Sequence, residues 1–191
     1  MSVSGAAGLL PHLAGEGAIV RQAIAAHYLR SCREIVEIGG AGLPITDFIT
    51  HAPDSVTVFD PKITPFASDE LNGRSCRVRH VAEKFQAADL PNQLRSLGVV
   101  LLGLSLKPFG ERAALDDSLI GLLRRAEVAV IDYSLTLPRA VEQAPVLLAE
   151  AGLVAALTID LDIVDGVLDV AGHGRRRLHV LRASRALVPG Q

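Results

Sequence analysis

Tryptophan is absent from this 191-residue chain, and aromatic residues make up only 4% of it. The core must therefore be filled by Ala, Val, Leu and Ile, which pack well as layers of sheet and helix. Only two cysteines occur, Cys32 and Cys76. Two thiols exclude a disulfide framework and an all-cysteine zinc site, and they suit a reducing, cytoplasmic setting. No uncharged apolar run reaches the roughly 18–20 residues that a membrane helix needs. Glu34, Glu37, Asp47, Lys107, Asp132 and Glu150 interrupt the candidates, so a soluble protein with no membrane partner is expected. Charge of one sign is lacking too. Nineteen Lys and Arg stand against 21 Asp and Glu, for a net charge of -2. A broadly basic nucleic-acid surface is not expected, and any nucleic-acid reading rests on the five arginines within residues 175 to 185 alone. The six histidines, at 12, 27, 51, 80, 173 and 179, show none of the short spacings of a metal site, so no metal is expected.

What is present is a series of short β-rich runs separated by stretches long enough for helices, the pattern of a parallel sheet with crossovers. The runs are Ile35–Ile38, Ser55–Phe59, Arg77–His80, Val99–Leu104, Val128–Tyr133, Leu153–Ile159 and Arg177–Arg182. Ala18–Leu29 reads as a helix covering the sheet through Ile19, Ala23, Ala26 and Tyr28 or Leu29. Ile45–His51 reads as a helix opened by Pro44, and Ala113–Arg125 as another with a leucine stripe. The last two runs are joined without a helix, which predicts an antiparallel pair. No linker or repeat divides the chain, so residues 1–191 read as one domain with 1–17 as a loose lead-in that lacks the features of a secretory signal.

The strongest chemical signal is Ile35-Val36-Glu37-Ile38-Gly39-Gly40-Ala41-Gly42, a buried strand that ends in an acid and runs into a small-residue turn. Glycines there let the backbone bend sharply and approach a ligand, which reads as a cofactor turn. Asp60 ends the next run, near the roughly 20-residue spacing at which a carboxylate reaches ribose hydroxyls in dinucleotide folds. These residues resemble the class I methyltransferase superfamily over most of the chain. The resemblance implies a Rossmann-like α/β fold with seven strands, mostly parallel with an antiparallel last strand, and helices on both faces. It also implies S-adenosylmethionine as cofactor. Glu37 would lie near the methionine amino end, Gly39, Gly40 and Gly42 beneath the ligand, Asp60 at the ribose, Glu83 at the adenine, and Gly103 at the adjoining strand end. The turn departs from the family's E-x-G-x-G-x-G pattern, with Ala41 and Leu43 in two glycine places.

Reacting groups are expected where strand ends meet the cofactor. Ser105 and Lys107, after the fourth run, and Asp132, at the end of the fifth, are the candidate catalytic residues. The resulting expectation is methyl transfer to a small-molecule acceptor, with nucleic acid not expected as a partner. The alternatives are a non-catalytic cofactor-binding or partner subunit of the same fold and, less favoured, a domain binding NAD or NADP. A chain with 49% hydrophobic residues also suits a homodimer.

Overall fold

Strands form where β-branched residues crowd into runs with no polar face, the composition of sheet buried on both sides. The computed structural model describes residues 16–40, 42–86, 95–101, 117–135, 138–162 and 175–184. Its strands are β1 (Glu34–Ile38), β2 (Ser55–Phe59), β3 (Phe66–Leu71), β4 (Arg74–Val81), β5 (Leu97–Leu101), β6 (Ala126–Ser134), β7 (Leu153–Asp162) and β8 (Arg175–Ala183). Its helices are α1 (Glu16–Tyr28), α2 (Asp117–Arg125) and α3 (Pro138–Glu150). The strands make one sheet in the order β3-β4-β2-β1-β5-β6-β8-β7.

Pairing is parallel from β4 through β2, β1 and β5 to β6. The last strand, β8, inserts between β6 and β7 and runs antiparallel to both. Alternation along the strands divides the core into two layers. Ile35, Val56, Val58, Val100, Val130 and Val180 pack with Ala25, Ala26 and Leu29 of α1 and its following turn. Val36, Val99, Leu101, Ala129, Ile131 and Leu181 pack with Leu122 and Leu123 of α2 and Leu148 of α3. Helices thus cover both faces. Both cysteines are buried and unbridged. Among the described residues no helix is long and apolar enough to cross a membrane.

Three details differ from the sequence reading. The sheet has eight strands rather than seven, because Phe66–Leu71 pairs antiparallel with β4 as an outer strand. Asn72 and Gly73 close that hairpin with φ of 53° and 74°, the pair of left-handed residues that a two-residue turn requires. Ile45–His51 is not a helix: a single 3₁₀ turn covers Ile45–Asp47, with Pro44 extended before it. Ile45, Thr46, Ile49 and Thr50 are β-branched and Pro53 follows closely, which disfavours propagation. Finally, α1 lies on a different face. Ile19 is 47% exposed, whereas Arg21 and Gln22 are buried against the sheet with Ala18, Ala25, Ala26 and Leu29.

Candidate functional site

Parallel register aligns the carboxyl ends of four strands along one edge. Ile38 is level with Phe59 of β2 and Leu101 of β5, and Leu101 is level with Ile131 of β6. Just beyond β1 the backbone enters the left-handed region twice, at Gly39 (φ 91°) and Gly40 (φ 106°). Gly39 N–H still donates to Phe59 O at 2.9 Å, so the turn stays fastened to β2 as it leaves the sheet. Gly40 O then accepts from Leu43 N–H at 3.2 Å.

The floor of this turn is Glu37. A Cβ on Gly40 would stand 2.7–2.8 Å from its carboxyl atoms, so only glycine lets the chain pass over the acid. Ile45 N–H donates to Glu37 Oε2 at 2.7 Å, and Gln22 Nε2 donates to Oε1 at 2.6 Å and to Leu43 O at 2.7 Å. One buried carboxyl therefore joins α1, β1 and the turn. Burial pushes its pKa up to about 8; the bonds from Ile45 and Gln22 oppose the rise, and the charges of Asp60 and Asp47 add to it. Gln22 Oε1 is buried without a hydrogen-bond partner, an acceptor facing no donor.

Asp60 follows β2, one residue beyond the Ile38 and Phe59 pair, and is buried. Its N–H donates to Val81 O at 3.1 Å, and its Oδ1 accepts from Lys62 N–H at 2.8 Å, which fixes the carboxylate beside the glycine turn. Glu83 lies two residues past β4 on the same edge and is exposed. Gly42 is exposed as well. Gly103, Ser105 and Lys107 lie outside the described residues.

Asp132 stands near the end of β6, one residue past the level of Ile38, on the face that α1 covers. Its carboxylate is engaged by Arg176 Nε of β8 and lies 3.2 Å from Arg21 Nε of α1. The side chains of Arg21 and Asp132 are 1% and 0% exposed, and that of Arg176 2%. This carboxylate is thus bracketed by two buried guanidinium groups, one from α1 and one from β8. On the opposite face Tyr133 Oη and His179 Nε2 share a hydrogen bond of 3.1 Å, and His179 Nδ1 meets Thr158 Oγ1 at 2.9 Å. Burial pushes the Tyr133 phenol up and the His179 imidazole down, so both favour their neutral forms. Among the described residues no group of three His, Cys, Asp or Glu gathers to hold a metal ion.

No protein-family model and no curated protein matches the sequence. Solved structures do match the fold. N-methyltransferase NodS from Bradyrhizobium japonicum WM9, solved with S-adenosyl-L-homocysteine, aligns over 91% of this chain and 95% of its own, with TM-score 0.57 and 11% identity. TYW2 from M. jannaschii, solved with AdoMet, aligns over 92% and 78%, with TM-score 0.52 and 13% identity. PH1948 from Pyrococcus horikoshii, described as a proposed RNA methyltransferase, aligns over 87% and 83%, with TM-score 0.52 and 12% identity. The fold is that of the class I methyltransferases. Within this methyltransferase fold the structure brings Glu37, Gly39, Gly40 and Asp60 to one strand edge, with Asp132 two strands from Glu37.

Arg21, Gln22 and Arg176 were not expected at the site. The first two interrupt an apolar helix pattern, and buried polar residues read as a solvated face when only hydrophobic spacing is counted. Arg176 is one of several consecutive arginines, and only the pairing of β8 with β6 tells it from its exposed neighbour Arg175.

Proposed function

We propose that the protein binds S-adenosylmethionine at the Gly39–Gly40 turn and transfers its methyl group to a small-molecule acceptor in a cytoplasmic setting. The observation that carries this reading is the buried Glu37 carboxyl under two left-handed glycines, with Asp60 beside it on the next strand. The residues fit the cofactor. Glu37 and the unpartnered Gln22 Oε1 offer acceptors to an ammonium group, and Asp60 offers a carboxylate to vicinal hydroxyls. Glu83, exposed on the same edge, is the candidate for the adenine. When bound, the cofactor supplies a sulfonium methyl group, an electrophile that needs no metal. The protein's own contribution is positioning: the turn fixes one end of the ligand, and the acceptor is held at the ends of β5 and β6. Ser105 and Lys107 remain the candidates for contacting that acceptor. Net charge of -2 and the deeply buried polar cluster beside the turn favour a small molecule over nucleic acid.

A second reading, cofactor binding without transfer, is favoured by one observation: Asp132 is occupied by guanidinium groups. Methyl transfer to a panel of small acceptors separates the two.

Calorimetry with S-adenosylhomocysteine tests the cofactor reading. Asp60→Asn keeps an oxygen for Lys62 N–H but removes the charge, and it should weaken binding about tenfold, the value of roughly 1.5 kcal/mol for a charged hydrogen bond. Unchanged affinity would remove Asp60 from the site.

The same titration has a pH signature. Glu37 holds its proton up to about pH 8 in the free protein, and a ligand ammonium beside it favours the charged carboxylate. Binding must then expel a proton at lower pH. Affinity should rise with pH by up to roughly tenfold per unit between pH 6 and 8 and level off above. Methylthioadenosine, which lacks the amino acid moiety, should show no such slope, nor should Glu37→Gln with S-adenosylhomocysteine. A flat profile for the wild type would place the ammonium elsewhere.

A further inference from the structure

Arg21 and Gln22 are neighbours on α1, yet their side chains serve two different strand ends. Gln22 holds Glu37 under the glycine turn, and Arg21 pairs with Asp132. Asp132 lies two strands from β1 at nearly the same level, which is roughly 10 Å at the usual strand spacing. Arg176 adds a second guanidinium from β8, the next strand over. A charged cluster thus stands beside the proposed cofactor turn, along the strand edge where an acceptor would enter.

The cluster is incomplete. Arg176 commits Nε to Asp132, while its Nη2 is buried and has no hydrogen-bond partner. A buried guanidinium N–H without a protein acceptor is unfavourable, and an oxygen anion is its natural complement. Nη2 carries two N–H groups, and a carboxylate supplies the acceptor oxygens they need. A phosphate monoester carries nearly two charges and three acceptor oxygens, more than that one nitrogen satisfies.

We propose that Arg176 is an acceptor-binding residue, and that the acceptor is a small carboxylate whose anionic end is anchored on Arg176 beside Asp132. This deepens the methyltransferase reading and rests on it for the location of the acceptor. The depth of the cluster makes the carboxylate the innermost part of the acceptor, leaving its nucleophile nearer the cofactor.

The test uses the full chain and measures binding of benzoate, benzamide and phenyl phosphate at millimolar concentrations, with and without S-adenosylhomocysteine. Benzoate should bind and benzamide should not. Arg176→Gln should lower benzoate affinity at least tenfold while leaving S-adenosylhomocysteine affinity within twofold of wild type. Arg176→Lys keeps a charge without the planar fork and should fall between, which preserves the test if the Gln variant does not fold. Equal binding of benzoate and benzamide, absence of benzoate binding, preference for phenyl phosphate, or unchanged benzoate affinity in a folded Arg176 variant would each overturn the proposal. Failure of the cofactor reading shows separately, as loss of S-adenosylhomocysteine binding by the wild type.

Discussion

Asp132→Asn should destabilise the protein by about 3–5 kcal/mol, because it leaves two buried guanidinium groups without their shared counter-charge. For a chain of this size each kcal/mol moves Tm by roughly 2–4 °C, so a drop on the order of 6–20 °C is expected in thermal denaturation followed by circular dichroism. Removing the charges together is the informative control. A triple variant, Arg21→Met, Asp132→Leu and Arg176→Met, replaces the cluster with apolar groups and should recover most of the loss. If Asp132→Asn costs less than about 1 kcal/mol, the cluster is solvated in solution and its burial is not what holds α1 to β6.

Gly40→Val should be nearly as severe and should also remove cofactor binding. Its Cβ would stand 2.7 Å from the Glu37 carboxyl carbon, and a φ of 106° is one that L side chains rarely adopt. Backbone strain of this kind costs roughly 1–3 kcal/mol. Displacing Glu37 also sacrifices its bonds to Ile45 and Gln22. We expect at least a hundredfold loss of S-adenosylhomocysteine affinity by calorimetry, with a Tm lowered by several degrees. Gly42→Val separates the two effects, since Gly42 is exposed. That variant should keep wild-type stability and lose affinity. A Gly40→Val protein with wild-type Tm and affinity would show that the turn does not lie on Glu37.

How far the sequence reaches is visible in particular elements. Ile35–Ile38, Ser55–Phe59 and Val128–Tyr133 were legible as strands because a run of buried β-branched residues needs no knowledge of its partners. The reversed end was legible because the sequence from Asp165 to Gly174, punctuated by Gly and Asp, carries no helical pattern between two apolar runs. β3 was missed, although Asn72-Gly73 carried a turn signal, because its exposed polar residues give no apolar alternation. The α1 face was misread because it was drawn through the apolar residues Ile19 and Ala23, whereas the polar Arg21 and Gln22 are the ones buried.

The site divides in the same way. Glu37, Gly39, Gly40 and Asp60 could be named from short windows, since a strand, a tight turn and an acid at a strand end are set by backbone sterics within a few residues of one another. That Glu37 is gripped by Gln22, 15 residues away, and Asp132 by Arg176, 44 residues away, follows only from which helix face lies on the sheet and from the antiparallel insertion of β8 beside β6. Local sequence specifies conformation because sterics act between neighbours. The burial of a charge, its partners and its ionisation depend on groups that only the folded sheet brings together.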